Sequence, residues 1–520
     1  MKISLFTVVL LCALAVVGSA SVRPTISNAR ISATFPAISV LVSYDVSDPD
    51  DSEVTVDLQV STDGGYTFRS ISELAVGDVG KVSVGTDKQI TIESATLFTK
   101  DPARVRLVVR DEHEVDIHQL LARIEEGTVR SIVAELSIPR NTFVDAGNHA
   151  IIRNRIRSAF SLAGLSIHNH EYPFQGTTGV NIVGRKAGVG STGTTFVLDA
   201  HYDAVPGTSG ADDNASCVTA LLIAAELLSQ LEVEKNISII AFDHEEDGLI
   251  GSSAYVNTGI AAGDTIAAVI NLEMIGYASE KVNSQQLPFG FGFLFPEQLA
   301  EIEANGNRGN FIANIGNTNS AELGVIFDKF AQLYVPDLKV ISLNVPGDGS
   351  IAPDFRRSDH ATFWDENIPA IMITDGGDFR NSNYHLPTDV VDSLNIPFMT
   401  KVIKASIAAI LELGGAVNGH SVVLDVPTSV HNQGHENDNC SLRAVPVPAA
   451  EFITVGFQGC SRSLVLRLFS IDGVKVFEKI VSNPESTQVT IPVSALAPNR
   501  YMLVASSGEQ SYSVDVLITR

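Results

Sequence analysis

Between residues 195 and 246 the chain sets apolar runs directly against clusters of ionisable side chains, a combination that few folds tolerate. Thr195-Phe-Val-Leu198 leads into Asp199-Ala-His201-Tyr-Asp203, and Ile237-Ser-Ile-Ile-Ala-Phe242 leads into Asp243-His-Glu245-Glu246. Both runs read as short strands of a sheet covered on both faces. Between them, Ala215 to Leu231 carries Val218, Leu221, Leu222, Ala225, Leu228 and Leu231 at steps of three and four, the core stripe of an amphipathic helix. The unit is strand, helix, strand, with carboxylates and imidazole at the strand ends, where open α/β sheets place their ligands.

Carboxylates crowded into apolar surroundings repel one another, and burial raises the cost of ionising each. A bound cation removes that conflict. His, Asp and Glu are nitrogen and oxygen ligands suited to Zn²⁺, and a catalytic site leaves a position open for water. Adjacent strand residues point opposite ways, so one of Glu245 and Glu246 can ligate while the other reaches the activated water. An isolated Glu-Glu pair would read as a solvated acidic loop; His201, Asp203 and Gly210-Ala-Asp212-Asp213-Asn-Ala-Ser216 argue for the site.

These residues resemble the zinc-dependent aminopeptidases of the M28 peptidase clan, over His201 to Asp203, Gly210 to Ser216, Glu245 to Ser252, Asn271 to Tyr277, Ser358 to Trp364 and Asn383 to Asp389. The resemblance implies two Zn²⁺ per chain: His201 ligates one, Asp213 bridges both, Glu246 completes the first site, and Glu273 with His385 holds the second. It implies Glu245 as general base and Asp203 as the group that orients His201. The chain departs from the pattern at Glu273, where Asp is usual, and at Cys217, which reads as a small core residue rather than a metal thiolate. His360, in Ser358-Asp-His360, rivals His385 as ligand; the resemblance favours His385 and places Asp359 in support of the pocket. Tyr384 and Arg380 lie near His385 in sequence and are candidate substrate contacts, whereas His149, His168, His170 and His244 read as structural or solvent-facing.

With 520 residues the chain is long enough for about three domains, and a net charge of −25 argues against nucleic acid as a partner. Residues 1–20 read as a signal peptide: Met1-Lys2, an apolar run from Ile3 to Val17, and Gly18-Ser-Ala20 for cleavage. The run is too short for a membrane span, so a secreted protein is expected. Residues 21–113 alternate in short segments and predict an immunoglobulin-like β-sandwich, in which Asp45, Asp48, Asp50 and Asp51 read as turn residues, with Ca²⁺ binding as the alternative.

Residues 114–417 predict the α/β domain, a mixed parallel-rich sheet with helices on both faces. Helices are expected at 117–134, 149–163 and 399–413, and strands at 179–184, 267–272 and 370–374. The stretch 279–317, with Phe289, Phe291, Phe293 and Phe295, reads either as a pocket-shaping loop or as a covering hairpin. Residues 418–444 read as a polar linker containing His420, His431 and His435. Sequons at Asn214, Asn236 and Asn439 read as chance matches, and a Cys440–Cys460 disulfide suits an exported chain.

From 445 to 520 alternation returns in a small β-sandwich. It resembles the C-terminal sorting domains of bacterial type IX secretion on Val445-Pro-Val-Pro448, Ile471-Asp-Gly473 and Leu496-Ala-Pro-Asn-Arg-Tyr501, which implies the secretion machinery as partner; a surface-binding module is the alternative.

Three functions follow from this pattern: a secreted exopeptidase that removes N-terminal residues from peptides, a single-zinc glutaminyl cyclase, or a non-catalytic binding protein on the same fold. The uninterrupted run Glu246-Asp-Gly-Leu-Ile-Gly-Ser252, together with His201, favours the peptidase.

Overall fold

The computed structural model describes residues 22–34, 39–62, 65, 68–93, 104–190, 193–426, 441–445, 451–458, 463–470, 475–482, 488–496, 499–507 and 510–518. The expected leader, the Cys440–Cys460 pairing, Asn439, His431 and His435 lie outside the described residues.

Eight strands form the central sheet: β1 (Ser166–Phe174), β2 (Thr177–Lys186), β3 (Thr194–His201), β4 (Asn236–Phe242), β5 (Thr265–Glu273), β6 (Ile312–Asn317), β7 (Val340–Val345) and β8 (Ala370–Thr374), in the order β7-β6-β8-β5-β3-β4-β2-β1. β3 runs parallel to both β4 and β5, and β5 is parallel to β8. The outer pairs β1–β2, β2–β4 and β6–β8 are antiparallel. Because successive side chains alternate, Phe196, Leu198 and Ala200 face one core, shared with the helices Ala146–Leu162, Cys217–Leu228 and Ile396–Gly414. Val197, Val183, Ile240 and Val269 face another, shared with Phe291, Phe295 and Phe363. With β4 on one side of β3 and β5 on the other, winding reverses at β3, and a crevice opens beyond the carboxyl ends of these strands.

Local chemistry modifies several expected elements. The helix expected over 117–134 is broken into Ile117–Ala122 and Glu126–Leu136 by Glu125, whose backbone is extended (ψ 141). The long C-terminal helix is capped by Asn395, whose side chain accepts from Phe398 N, and it stops at Gly415 in the left-handed region. The stretch 279–317 is not a hairpin, and it does line a pocket, through Phe291, Ile302 and Phe311. It holds the helices Phe291–Leu294 and Pro296–Ala304 and strand β6; Phe291 and Phe295, one helical turn apart, are buried, while Phe289 and Phe293 are exposed.

The N-terminal sandwich also corrects the expected linker. Gly419–Asp425 is a strand of that sandwich, antiparallel to Arg104–Arg110, and His420 Nδ1 accepts from Ile26 N at 2.9 Å. Val422 and Leu424 pack on the sandwich core, an alternation masked in the sequence by the polar residues around it. The α/β domain is therefore inserted between two paired strands of a single sandwich. Asp48 Oδ1 accepts from the backbone of Asp50 and Asp51, as turn residues do, whereas Asp45 lies within the strand Ser39–Ser47 and accepts from Asn28 and Asp87 across the sheet. At the far end of the chain, two sheets of antiparallel strands enclose Ile453, Val455, Leu466, Leu468 and Leu503.

The sandwich docks at the end of the central sheet opposite His201. Arg106, buried, donates to Gln59 Oε1, to Ala187 O at 2.7 Å and to Gly188 O at 2.8 Å, and Gln59 Nε2 donates to Val189 O at 2.9 Å. A buried polar group left without a partner costs about 1–3 kcal/mol, so Arg106→Ala is expected to lower stability by about 3 kcal/mol in urea unfolding. An unchanged urea midpoint would show that this contact carries no stability.

Candidate metal centre

His201 ends β3, Glu273 ends β5, and Glu245 and Glu246 lie in the turn after β4. Asp213 stands in the irregular turn Ala211–Ser216 ahead of the helix Cys217–Leu228, and His385 arrives from the loop after β8. The structure brings these six together. Asp213 Oδ1 lies 3.3 Å from His201 Nε2, and its Oδ2 lies 3.2 Å from His385 Nε2, so one carboxylate faces two imidazoles. His385 Nε2 is also 3.2 Å from Glu246 Oε2, while His201 Nε2 is 3.5 Å from Glu273 Oε2 and 3.8 Å from Glu245 Oε2. By nearest imidazole, this pairing differs from the one that the resemblance implies. Glu246 lies within 4.8 Å of His201 and Asp213, but its nearest imidazole is His385, and Glu273 approaches His201.

The electrostatics match the geometry. Burial opposes a charge on His385, yet the Asp213 and Glu246 carboxylates, each 3.2 Å from its Nε2, raise its pKa to about 10. Burial likewise opposes a charge on His201, and the Glu245 and Glu273 carboxylates push it well above the usual histidine range. Asp213 is held below the usual carboxylate range against its burial by both imidazoles, whereas burial, reinforced by Asp213, lifts Glu246 to about 7. Protein groups alone thus balance the acidity by protonating both imidazoles. A dication relieves the same repulsion and needs both imidazoles neutral. His201 Nε2, His385 Nε2, Asp213 Oδ1 and Glu246 Oε1 are buried with no hydrogen bond of proper geometry among the described residues, and this nitrogen and oxygen donor set fits zinc.

Supporting groups fix each ligand. Asp203 Oδ1 lies 3.3 Å from His201 Nδ1, and the same carboxylate accepts the backbone N–H of Glu245 at 3.1 Å and of Glu246 at 3.2 Å. It therefore aligns His201 with the turn that carries Glu245. The loop of Asp213 is held from behind by fully buried Arg140, which donates to Tyr202 O, Ser209 O and Gly210 O at 2.6–2.9 Å. Gly210 is obligatory there: at φ 54, an added Cβ would lie 2.3 Å from Asp213 O. Asp389 accepts from the backbone N–H groups of Asp212 and Asp213, and Ser358 Oγ donates to Glu273 Oε2 at 2.7 Å. Sequence reasoning gave no role to Arg140 or Asp389, and gave Ser358 only a share in the pocket-supporting triplet Ser358-Asp-His360. The last two lie inside the motif stretches, which was the available signal, whereas Arg140 precedes them with no local pattern of its own.

Other expectations divide. Asp359 is fully buried, and burial raises its carboxyl to about 7. Tyr384 stacks on His385, with ring centroids 3.7 Å apart. Arg380 is not brought to the site. Its Nε donates to Gln285 Oε1, its Nη1 donates to Phe311 O, and its guanidinium covers the Phe311 ring, which holds it away from the ligands. His360 places Nε2 on Phe355 O, packs against Trp364, and joins none of the ligand clusters among the described residues. Cys217 and Asn214 are buried, so the first is a core residue and the second is closed to glycosylation. His149 pairs with Asp243, and His244 with Asp247.

Residues 181–410 match peptidase family M28, and residues 444–519 match the secretion system C-terminal sorting domain. The Escherichia coli protein YfbL is 35% identical over 260 residues, covering 48% of this chain and 75% of YfbL. The chain belongs to peptidase family M28. Another relative is the aminopeptidase YwaD of Bacillus subtilis, 36% identical over 113 residues, which cover 21% of this chain and 25% of YwaD. Among solved structures, the LapA aminopeptidase of Legionella pneumophila aligns at a TM-score of 0.43 and 19% identity, over 59% of this chain and 78% of LapA.

In this M28 chain the role of Asp203 can be tested directly. Asp203→Asn sets an amide N–H against a backbone N–H of the Glu245–Glu246 turn, and loss of such a supporting group typically costs about 10–100-fold in metal affinity. Chelator competition is expected to show a zinc affinity lower by that factor; unchanged affinity and turnover would remove Asp203 from the site.

Proposed function

We propose that this M28 peptidase is an exported aminopeptidase that removes apolar N-terminal residues from peptides at a two-zinc centre. The observation that carries this reading is Asp213, whose two oxygens face different imidazoles, each with its own further carboxylate. His201, Asp213 and Glu273 would hold one ion, and His385, Asp213 and Glu246 the other. Bound zinc supplies Lewis acidity toward the scissile carbonyl and an activated water at neutral pH.

The chain's own groups do the rest. Glu245 is the general base: burial, reinforced by Glu273 and Glu246, pushes its carboxyl well above the usual range, which suits a group that accepts a proton and returns it. It takes the proton of the attacking water and delivers it to the departing amine. Beside Glu273 and Tyr384 opens a pocket of about 90 Å³ with walls of Phe291, Ile302, Phe311, Ile315, Leu343 and Met372. Asp354, Arg357 and Asp378 also border the pocket, but these six apolar walls dominate its interior, which suits an N-terminal side chain of leucine or methionine size. The matched sorting domain supports export.

Aminoacyl chromogenic substrates test this reading. Leucyl and methionyl substrates are expected to react at least about tenfold faster than aspartyl ones. Glu245→Gln should lower kcat by roughly 10²–10⁴-fold with zinc content unchanged. Near-normal turnover in that variant would contradict the assignment.

A further inference from the structure

The turn that carries Glu245 and Glu246 gives three successive amide N–H groups to buried carboxylates. His244 N donates to Asp243 Oδ1 at 3.1 Å, and Glu245 N and Glu246 N donate to Asp203 at 3.1 and 3.2 Å. The chain bends at His244 through φ 57, a left-handed backbone that a residue with a Cβ adopts only where its surroundings impose it. Asp243, the first residue after β4, is the anchor of that bend. Its Oδ2 accepts from Val180 N at 3.1 Å and its N donates to Asn181 Oδ1 at 3.0 Å, both on β2, while its O accepts from the Tyr172 hydroxyl on β1 at 2.9 Å.

One residue from outside the sheet reaches both halves of this clamp. His149, on the helix Ala146–Leu162, is buried, and its Nε2 donates to Asp243 Oδ1 at 2.8 Å, since an ionised carboxylate only accepts. The face of the same imidazole stacks on Tyr202, with ring centroids 4.9 Å apart and 23° between the planes. Tyr202 stands between His201 and Asp203, and its hydroxyl donates to Val180 O at 2.9 Å. His149 thus holds the end of β3 by its face and the turn after β4 by its edge. A buried histidine–carboxylate pair is by itself a poor source of stability, because apolar residues of similar volume often do as well. With side chains 4% and 0% exposed, His149 and Asp243 stand where such residues would pack.

We propose that His149 is a positioning residue for the general base: by tying Asp243 to Tyr202 it fixes the bent backbone at His244, and with it the Glu245 carboxylate, 3.8 Å from His201 Nε2. The proposal rests on the peptidase reading above, in which Glu245 takes the proton of the attacking water. His149 neither touches substrate nor moves a proton; it keeps Glu245 in place before the water attacks. Such placement matters because a misplacement of about 1 Å at a reacting group costs roughly 10²-fold in rate. A purely structural account makes the pair a core contact whose loss lowers stability and leaves the kcat of the folded enzyme alone.

A double-substitution cycle separates the accounts, with kcat and KM measured on a leucyl chromogenic substrate and zinc content and circular dichroism recorded for each variant. His149→Phe keeps an aromatic ring for Tyr202 but removes the donor to Asp243, and it is expected to lower kcat at least about tenfold with KM within about twofold. In the Glu245→Gln background the same substitution should cost less than about twofold, because residues acting through one group are not additive. His149→Gln keeps an N–H donor and should stay within about threefold of wild type. Amide hydrogen exchange adds a readout independent of turnover: in His149→Phe it should quicken at His244, Glu245 and Glu246 and stay unchanged in the helix Cys217–Leu228. The proposal is overturned if the His149→Phe loss multiplies fully onto Glu245→Gln, if kcat is unchanged, if exchange at the turn is unchanged or quickens throughout the domain, or if both His149 variants shed zinc or fold. Failure of the peptidase reading itself would show separately, as near-normal turnover in Glu245→Gln alone.

Discussion

A shared carboxylate governs this structure. Asp213 lies between His201 and His385, and Glu245, Glu246, Glu273 and Asp203 crowd the same sheet end, so acidic groups outnumber the imidazoles that can neutralise them. Buried acidity of that density is stable only beside compensating charge. The arrangement is held by backbone as much as by side chains: Arg140 and Asp389 clasp the loop of Asp213, and Asp203 clasps the turn of Glu245 and Glu246. His244, Met274 and His385, each at or beside a ligand, have φ of 57, 49 and 57, a left-handed backbone that costs non-glycine residues energy and tends to collect at functional sites.

Much of this was legible in the sequence, for identifiable reasons. β3, β4 and β5 are buried on both faces, so they read as apolar runs, and the residue type changes abruptly where each strand ends. That change located His201, the Glu245–Glu246 pair and Glu273. What failed to show was partnership across space. The resemblance paired Glu246 with His201 and Glu273 with His385; β5 lies beside β3 in the sheet, which carries Glu273 toward His201, while Glu246 reaches both His385 and the His201–Asp213 pair. Arg140, Asp389 and Ser358 act through loops brought together only by the fold. Arg380 was a candidate because of its neighbour His385, yet it is buried, with Nε on Gln285 and Nη1 on Phe311 O.

The flanking domains show the same limit. The strand Gly419–Asp425 is short, with only Val422-Val-Leu424 apolar amid polar neighbours, and its partner Arg104–Arg110 lies more than three hundred residues earlier, so its local pattern resembles a linker. Its pairing closes the sandwich across both crossings to the inserted peptidase domain, and Arg106 ties that sandwich to Ala187 and Gly188. This contact lies at the opposite end of β3 from the ligands, so the sandwich braces the sheet while the crevice stays open to substrate.

Glu273 is where this chain departs from its family's usual aspartate, and Ser358 already holds its Oε2. Anomalous scattering from crystals of the zinc-loaded protein therefore tests the account most directly. The account requires two peaks roughly 3.5–4 Å apart, as in two-metal sites, one beside His201 and Glu273, the other beside His385 and Glu246, with Asp213 between them. A single peak at His385 and Glu246, with Glu273 turned toward Ser358 and His201 without metal, would contradict it and favour single-zinc chemistry such as that of a glutaminyl cyclase.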